Sequence, residues 1–404
     1  MIEEYWISNE RFYKSIERRD GTKSTSNIPA CGETIASAEN FDKVWLMLKN
    51  TPTNTYINQM NLVDLFCGTG PMSLGVVEAG RCLGIDIVPR LAIDFDKNAA
   101  LNYKYNFPSS NVINDDISLY INGKFGEKIT QEEKKLLASI PSVDILIGGP
   151  PCQGHSDLNN HTRRDDPRNK LILYVTRFAE IAKPNYVIIE NVQGIRHDKH
   201  DILQIAIAQL KQLGYIIHEN LLMASKFGVA QNRRRYILVA TKSDTSFDLS
   251  NYERAFTNNV LWAISDLDNV DTSDGWIFNL PSPPSKDNKL RLEYLVANNI
   301  YELPTKLRPK CQQNDNNRYT SVYGRMYPDK PAPTITSGYC SVGQGRFCHP
   351  LHARVITPHE AARIQFIPDY FKFLKELRRE AFKTLIGNAV PPKLTYAITL
   401  ELLR

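Results

Sequence analysis

Between residues 62 and 240 the chain alternates short apolar runs with longer segments of helical period, and this alternation limits the folds available to it. The runs have the length of strands and are apolar at consecutive positions, as strands are when both faces of a sheet are covered. Helical segments between them supply the crossovers that parallel pairing needs. The predicted strands are 62–66, 143–147, 186–189 and 236–240, with helices at 171–181 and 201–213. We therefore predict a doubly wound, mostly parallel α/β sheet.

The composition is that of a soluble globular protein. The 404 residues are 42% hydrophobic and 23% charged, which suits two domains or one large domain with an insertion. The net charge of +5 permits a polyanionic partner without requiring one. The longest apolar runs are far shorter than the ~20 residues that span a bilayer, and the first residues lack an export signal. We expect a cytoplasmic protein with no membrane partner.

The seven cysteines are scattered and include no Cys-x2-Cys pair, so free thiols in a reducing compartment are expected. Cys311, Cys340 and Cys348 with His349 and His352 could in principle gather around a metal. Their spacing matches no familiar zinc pattern, and no metal site is predicted.

A glycine turn follows the first predicted strand. Gly68 and Gly70 allow the backbone to approach a ligand closely, and the next helix offers oriented N–H groups. A dinucleotide-binding fingerprint would have a third glycine where this chain has Ser73. That difference disfavours an NAD-dependent dehydrogenase, which is the obvious rival for a Gly-x-Gly turn.

Acidic residues end the next two predicted strands. Asp94, followed by Phe95, is a candidate for binding ribose hydroxyls beside a stacked adenine, and Asp86 is a competing candidate at a shorter spacing. Asp116, at a third strand end, could accept a hydrogen bond from the adenine amino group. Glycine, acid and acid at successive strand ends predict a site for a nucleotide-like cofactor.

A cysteine stands in a stiff polar turn directly after the strand 143–147. Cys152 follows Pro150 and Pro151 at the edge of the sheet where α/β sites assemble, rather than inside an apolar strand. The next strand runs into Glu190. Farther on, residues 233–235 are three arginines before an apolar strand, with Arg233 and Arg235 predicted on one face and Arg234 on the other.

These motifs and two others resemble, in the same order, those of the cytosine-C5 DNA methyltransferases of prokaryotic restriction-modification systems. They are Phe-Cys-Gly-Thr-Gly at 66–70, Gly-Pro-Pro-Cys-Gln-Gly-His-Ser at 149–156, Glu-Asn-Val at 190–192, Gln-Asn-Arg-Arg-Arg at 231–235 and Gly-Asn-Ala-Val-Pro-Pro at 387–392. The resemblance runs from about residue 62 to the C-terminus. It implies S-adenosylmethionine as cofactor and double-stranded DNA as substrate.

The resemblance also implies which residues border the cofactor and which act in catalysis. Cys152 is the expected nucleophile at carbon 6 of cytosine, and Glu190 is expected to protonate or hydrogen-bond ring nitrogen N3. Arg235 would hold the O2 edge of the base, and Arg233 would help to position the active-site loop. The expected cofactor-binding residues are Phe66, Gly68, Thr69, Gly70, Asp94, Phe95, Asp116, Ile117, Pro151, Leu171 and Asn388.

An enzyme that attacks carbon 6 of a paired cytosine must first flip that base out of the helix. The loop after Cys152 is the natural element to close over the extruded nucleotide. The expected DNA-contacting residues are Gln153, Ser156, Arg163, Arg164, Arg168 and Gln231. Residues 286–325 carry eight lysines and arginines against four acids, which suits a module that reads DNA.

The predicted organisation has four parts: an N-terminal extension of unknown role (1–59), a catalytic and cofactor-binding domain (60–250), a target-recognition domain (251–348) and C-terminal helices that complete the catalytic domain (349–404). Residues 325–336 resemble the family segment that braces the recognition domain, and a capping box at Thr357 and Glu360 predicts a helix after it. We expect a monomer, with a restriction endonuclease acting on the same site as a further partner. A tRNA cytosine-C5 methyltransferase of the same family is the alternative function.

Overall fold

The computed structural model describes residues 2–151, 167–243, 246–313 and 321–404. The strands are β1 (Glu3–Ser8), β2 (Arg11–Glu17), β3 (Lys23–Pro29), β4 (Asn58–Leu65), β5 (Ile85–Asp94), β6 (Asn111–Asn114), β7 (Ile145–Gly148), β8 (Tyr186–Asn191), β9 (Ile216–Met223), β10 (Gln231–Asn232), β11 (Arg234–Thr241) and β12 (Ala332–Pro333). The helices are α1 (Ala38–Met47), α2 (Pro71–Leu83), α3 (Lys97–Asn106), α4 (Gln131–Ala138), α5 (Ile172–Ala182), α6 (Ile202–Gln212), α7 (Val260–Ile264), α8 (Lys286–Ala297), α9 (Pro358–Ile364), α10 (Arg379–Gly387) and α11 (Pro392–Leu403). Within these described ranges, no helix has the length and apolar character needed to cross a membrane.

Seven strands form the central sheet in the order β6-β5-β4-β7-β8-β11-β9. The five strands from β4 to β8 pair in parallel with one another, which confirms the mostly parallel sheet. β11 is antiparallel to both of its neighbours, so the inclusion of residues 236–240 among the parallel strands is wrong. The reason is the short connection from β9, which contains a single 3-10 turn (Ala224–Phe227) and no crossover helix.

Each central strand sends alternate residues into two separate apolar cores, one on each face of the sheet. Leu62 and Ile188 belong to the core that α2 and α11 cover, while Val63 and Val187 belong to the core under α5 and α6. Both-face burial explains why these strands are apolar at consecutive positions. The sheet is therefore the middle layer of three.

The order of the strands creates a crevice at one edge of the sheet. From β4 the chain moves outward to β5 and β6, then returns to β7 on the other side of β4 and continues outward to β8. The connections that follow β4 and β7 therefore diverge. In open α/β sheets, ligands bind outside the carboxyl ends of the strands at such a switch point.

The N-terminal residues fold onto the same core. β1, β2 and β3 form an antiparallel sheet, and Phe12, Ile16 and Ile28 bury their side chains against the layer that contains α2. The predicted helix at 41–48 is confirmed as α1, which begins after Ser37 and buries Phe41 at the expected face. The segment is thus packed into the main body of the protein.

A cluster of buried charges joins this N-terminal sheet to the C-terminal helix. Glu3 Oε2 lies 2.8 Å from Arg254, and Glu3 Oε1 lies 3.3 Å from Lys14 Nζ, which donates to the hydroxyl of Tyr396 at 2.7 Å. Burial disfavours the charged form of Glu3, but Lys14 and Arg254 outweigh it and hold the pKa of this carboxyl well below its usual range. Four elements of the chain and the loop at Arg254 meet in this cluster, because Asp42 of α1 also pairs with Lys393 of α11.

Beyond β11 the described chain contains few regular elements until α9. Leu292 of α8 packs with Val342 and Val355 in a small core of its own, whereas Val260 of α7 belongs to the main core. Part of the region from 251 to 348 therefore packs in a small core of its own, and part of it packs against the main core. Its boundaries stay a prediction.

The capping box that predicts a helix after residue 357 is confirmed. Thr357 Oγ1 accepts from the N–H of Glu360, and the Glu360 carboxylate accepts from the N–H of Thr357 at 2.7 Å. Pro358 occupies the first position of α9, where its missing N–H costs nothing.

The substitution Glu3→Ala tests whether the buried charge cluster holds the N-terminal sheet in place. It leaves Lys14 and Arg254 buried without their main partner, and we expect a loss of about 3–5 kcal/mol in the free energy of unfolding. Glu4→Ala is the control, because Glu4 pairs with Lys23 at the surface and such a pair contributes about 0–1 kcal/mol. Urea denaturation followed by circular dichroism measures both; equal losses would contradict a structural role for the cluster.

Candidate active site

The glycine turn lies between β4 and α2 at the edge of the sheet where the crevice opens. Phe66 has φ +61°, and Gly68 and Gly70 have φ +54° and +98°, so the backbone follows a left-handed path there. A side chain at Gly70 would collide with Phe107 at 2.6 Å, whereas one at Gly68 would meet nothing within 4 Å. Gly70 is thus needed for packing, and the backbone at Gly68 faces open space.

Ser73 joins two buried groups beneath this turn. Its hydroxyl donates to Asp64 Oδ2 at 2.6 Å and lies 2.8 Å from the hydroxyl of Tyr103. Burial raises the pKa of Asp64 to about 8, and the hydrogen bond from Ser73 opposes that rise. The sequence analysis missed this role of Asp64; the available signal was an acidic residue inside an otherwise apolar strand.

Asp94 and Asp86 lie at opposite ends of β5. Asp94 ends the strand beside the glycine turn, and its Oδ2 accepts the N–H of Gly68 at 2.8 Å. Asp86 is the second residue of β5 and is hydrogen-bonded to Gln59. Eight residue steps along the strand separate Asp86 from Asp94, about 26 Å at the usual rise. Burial raises the pKa of Asp94, although the N–H groups of Asp96 and Gly68 oppose the shift.

The third strand end is drawn towards the second by Asn114. Its side-chain amide donates to the carbonyls of Asp94 at 3.1 Å and Phe95 at 2.9 Å. Asp116, two residues on, accepts the N–H of Ser118, and this hydrogen bond lowers its pKa. The Phe95 ring is 79% exposed at this edge, so an apolar face is available to a ligand.

An ion pair marks the other side of the crevice. Arg235 Nε lies 2.6 Å from Glu190 Oε1, across the antiparallel pair of β11 and β8. A side chain at Gly149 would stand 3.7 Å from Glu190 Oε2 and 3.9 Å from the carbonyl oxygen of Phe66. The end of β7 therefore lies between the glycine turn and the Glu190 carboxylate, and the exposed Pro151 leads directly to position 152.

Arg233 has different contacts from Arg235. Arg234 is exposed and the other two arginines turn inward, as the alternation predicts. However, β11 begins only at Arg234, and Arg233 donates to the carbonyls of Ile335 at 2.7 Å and Gly387 at 3.3 Å. In these contacts Arg233 ties together segments that are distant in sequence.

Gln231 is not exposed at the surface, as a residue that contacts DNA would have to be. It is fully buried; its Nε2 donates to Gln365 Oε1 at 2.8 Å and its Oε1 accepts the N–H of Ile335 at 2.8 Å. Both ends of the amide are used inside the protein. We therefore correct the predicted DNA contact to an internal support of the arginine segment.

Several predicted site residues lie outside the described residues. These are Cys152, Gln153, Ser156, Arg163 and Arg164, together with the side chain of Arg168. After this segment the chain resumes in a short 3-10 turn that ends at Leu171, a half-buried residue before α5. Of the other predicted cofactor residues, Thr69 and Ile117 are buried, and Asn388 is exposed at the end of α10.

Two of the histidines that were considered for a metal meet Asp268 rather than the cysteines. One possible ligand atom from each of Asp268, His349 and His352 lies within 4.8 Å of the others. However, His349 Nδ1 accepts the N–H groups of Leu351 and His352 at 3.1 Å, which places the ring proton on Nε2. Neither ring nitrogen of His349 then has a lone pair free for a metal. The geometry therefore favours a hydrogen-bonded cluster over a metal site.

The sheet order and the crevice define a Rossmann-like methyltransferase fold. The chain belongs to the C-5 cytosine-specific DNA methylase family, whose model matches residues 60–404. The resemblance inferred from the motifs is confirmed, and with it the enzyme class, DNA (cytosine-5-)-methyltransferase. Family and fold imply a methyl donor of the S-adenosylmethionine type.

Relatives and solved structures agree with this assignment. The chain is 45% identical over 411 residues to the Type II methyltransferase M1.BsuMI of Bacillus subtilis, an alignment that covers all of this chain and 95% of that protein. It is 28% identical to M.DdeI of Desulfomicrobium norvegicum, over 84% of this chain and 87% of that one. A putative DNA modification methyltransferase from an Escherichia coli prophage superposes with a TM-score of 0.59 at 26% identity, covering 85% of this chain and 98% of that one. The Dnmt2 methyltransferase of Schizosaccharomyces pombe shares the fold, with a TM-score of 0.58 at 19% identity over 85% and 98% of the chains.

The substitution Asp64→Asn tests the buried acid beneath the glycine turn. In the folded protein Asp64 keeps its proton up to about pH 8, whereas in the unfolded chain a carboxyl of this type loses it near pH 4. The folded state therefore binds more protons in this window, so the contribution of Asp64 to stability is complete below about pH 4 and is lost as the pH rises towards 8. An asparagine cannot ionise, so the stability of the variant relative to the parent protein should rise over this window by a few kcal/mol.

Urea unfolding midpoints at pH 5, 6, 7 and 8 measure this difference. A constant difference in stability between the two proteins does not matter. The ionisation of Asp64 is reported by the part of that difference that changes with pH. Parallel curves would mean that Asp64 is already ionised in the folded state at pH 5.

Proposed function

We propose that the protein transfers a methyl group from S-adenosylmethionine to carbon 5 of a flipped-out cytosine in a specific duplex DNA sequence, through a covalent bond to Cys152. The observation that carries the proposal is the Glu190–Arg235 ion pair beside the strand end that leads to Cys152. A carboxylate fixed in that position is the group needed to hydrogen-bond the edge of a cytosine ring.

The residues of the crevice fit an adenosyl cofactor. The open backbone at Gly68, the exposed ring of Phe95 and the carboxylates of Asp94 and Asp116 lie at adjoining strand ends. Among the atoms that the structure describes, Thr69 Oγ1 is buried without a hydrogen-bond partner. A polar group of a bound ligand could supply that partner at the turn. When bound, S-adenosylmethionine supplies an electrophilic methyl group.

The position of Asp94 favours it over Asp86 as the ribose-binding acid. Asp94 lies against the glycine turn, at the carboxyl end of β5, where cofactors of this fold class bind. Asp86 lies at the other end of the strand, bonded to Gln59, too far away for a ligand that also touches Gly68.

Carbon 5 of cytosine is a poor nucleophile, and Cys152 changes that. Its thiolate forms a bond to carbon 6, and the electron pair of the 5–6 double bond then becomes available at carbon 5 for the methyl group. A base removes the proton from carbon 5, the carbon–sulfur bond breaks, and the double bond is restored with the thiolate as leaving group.

Glu190 and Arg235 act on the ring during the attack. Arg235 Nε lies against Glu190 Oε1, which orients the carboxyl group, and Glu190 Oε2 is on the side of Gly149 and the glycine turn. From there the carboxyl group of Glu190, in its protonated form, can donate its proton or a hydrogen bond to ring nitrogen N3 as negative charge develops on the ring. Arg235 also remains available to the O2 edge of the base.

The substrate base must leave the DNA helix for this chemistry, at a cost of a few kcal/mol for unstacking. The segment after the nucleophile is proposed to contact the DNA around the extruded nucleotide through Gln153, Ser156, Arg163, Arg164 and Arg168. Residues 251–348 are proposed to read the target sequence.

The relatives' names suggest the biological setting. M1.BsuMI and M.DdeI are Type II methyltransferases, and by analogy we propose that this protein protects host DNA from a restriction endonuclease of the same specificity in the cytoplasm, as a monomer. The alternative is action on tRNA within the same family. The length of the region between β11 and α9 favours reading a DNA sequence.

The substitution Cys152→Ser tests the covalent step. A random-sequence duplex in which every cytosine is 5-fluorocytosine, supplied with S-adenosylmethionine, should become covalently trapped on the parent protein, because fluorine at carbon 5 blocks the elimination. Cys152→Ser should bind the cofactor, form no adduct, and lose methyl transfer to normal duplex by several orders of magnitude.

Cys31→Ser is the matched control, since Cys31 is an exposed free cysteine far along the chain from the crevice, and it should be trapped normally. Adduct formation by Cys152→Ser would overturn the nucleophile assignment. Trapping on fluorinated tRNA but not on duplex DNA would replace the proposed substrate by the alternative one.

The substitutions Asp94→Asn and Asp86→Asn test which acid binds the ribose. An asparagine at position 94 can still accept the N–H of Gly68, but it loses the charged hydrogen bonds to the sugar, at about 1.5–3 kcal/mol. We expect the dissociation constant for S-adenosylmethionine, measured by calorimetry, to rise roughly 10- to 100-fold for Asp94→Asn. Asp86→Asn should leave it within error of the parent value; the reverse result would assign Asp86.

A further inference from the structure

A buried glutamine directly after α9 is bonded to two segments that each lead into the candidate active site. Gln365 is fully buried, and its side-chain amide is bonded at both ends. Nε2 donates to the carbonyl of Ile386 at 2.7 Å, and Oε1 accepts from Gln231 Nε2 at 2.8 Å. The side chain therefore joins α10 to the segment just before the arginines.

Gln231 passes the connection on to a third segment. Its Oε1 accepts the N–H of Ile335, the residue that follows the short strand β12 by two positions. β12 in turn pairs in parallel with β10, and Thr334 donates to the carbonyl of Asn232 at 2.8 Å. The returning end of the proposed recognition region is thus held directly against the arginine segment.

Arg233 closes the same circuit. It donates to the carbonyls of Ile335, whose N–H is bonded to Gln231, and of Gly387, the residue after the Ile386 that Gln365 bonds. A side chain at Gly387 would stand only 2.3 Å from the backbone nitrogen of Ser337, so α10 and this segment are in close backbone contact. The side-chain amides of Gln231 and Gln365 are each bonded at both ends, and buried networks of this kind specify one arrangement.

The two ends of this network reach the two chemical parts of the crevice. Two residues beyond Arg233, Arg235 is paired with Glu190. At the other end, Gly387 is followed by Asn388 and then by α11, where Thr395 Oγ1 donates to the carbonyl of Met72 in the first turn of α2. The first turn of α2 directly follows the glycine turn, which borders the proposed cofactor site.

We propose that Gln365 is a positioning residue, which with Gln231 and Arg233 sets the distance between the catalytic pair Glu190–Arg235 and the cofactor-bordering loop at Asn388. We call these three residues the glutamine relay. The inference rests on the proposed function, because it assumes that the two ends bind base and methyl donor. Because Gln231 and Arg233 both bond to Ile335, the proposed recognition region is anchored to the same residues.

The substitution Gln365→Met tests the relay. Methionine fills a similar volume but leaves Gln231 Nε2 and the Ile386 carbonyl unpaired, so the arginine segment and the Asn388 loop are free to shift. The fraction of active protein is first measured by trapping on the 5-fluorocytosine duplex. Per trapped site, we expect kcat for normal duplex to fall roughly 10- to 100-fold, since small misplacements of reacting groups have effects of this size. We expect KM for S-adenosylmethionine to rise by at least about 3-fold, the shift expected from misplacing the Asn388 loop.

Two further proteins separate positioning from mere stability. Gln209→Met removes a half-buried glutamine whose Oε1 accepts from Thr176 on the other face of the sheet, and it should leave both kinetic parameters unchanged. The double variant Gln231→Met/Gln365→Met removes both partners of one hydrogen bond but leaves the N–H of Ile335 unpaired, so it should match the single variant in stability and should not regain kcat.

The outcomes are distinct. Unchanged kcat and KM per trapped site in Gln365→Met would overturn the relay, as would recovery of kcat together with stability in the double variant. Failure of the parent protein to be trapped at all would instead refute the proposed covalent function.

Discussion

The central sheet buries both of its faces, and the placement of the described functional side chains at its strand ends follows from this constraint. A strand such as 62–65 gives alternate residues to two apolar cores, so polar side chains are excluded from its middle and occur at its ends. Asp64 is the exception, and burial there raises its pKa to about 8. Four strands end at the same edge of the sheet, and at or next to their ends lie the glycine turn, Asp94, Gly149 and Glu190. Chemistry is concentrated there because water and backbone N–H groups are available there.

The N-terminal residues are part of this arrangement rather than an appendage. Their apolar side chains enter the same core as α2 and α11, and their buried acid Glu3 neutralises Lys14 and Arg254. Breaking such a cluster leaves an unpaired buried charge, so the N-terminal sheet and the C-terminal helix are held together. The family model begins only at residue 60, yet M1.BsuMI aligns over the whole chain. The shared N-terminal region is consistent with an integral structural role.

Hydrogen bonds between segments distant in sequence organise the side of the crevice that carries Arg235. Gln231 and Arg233 stand two residues apart in a polar motif and both turn inward to Ile335, and Arg233 also bonds to Gly387 at the end of α10. An exposed arginine motif next to a DNA-binding site invites the interpretation that each of its polar residues touches DNA. The structure divides them, with Arg235 on Glu190 and the other two in the protein interior. This division gives the arginine segment a rigid base.

The sequence by itself determined the fold class, the order of the strand ends and the family, because these depend on local periodicity and on short motifs that the chemistry requires. It predicted the helix at 41–48, the capping box at Thr357 and the acidic strand ends correctly. Only the tertiary structure decided the antiparallel direction of β11, the inward course of Gln231 and the place of Asp94 against that of Asp86. Those features depend on contacts between residues some 25 to 150 positions apart, such as Gly68 with Asp94 and Arg233 with Gly387. No local pattern encodes such contacts, since they form only when the layers pack.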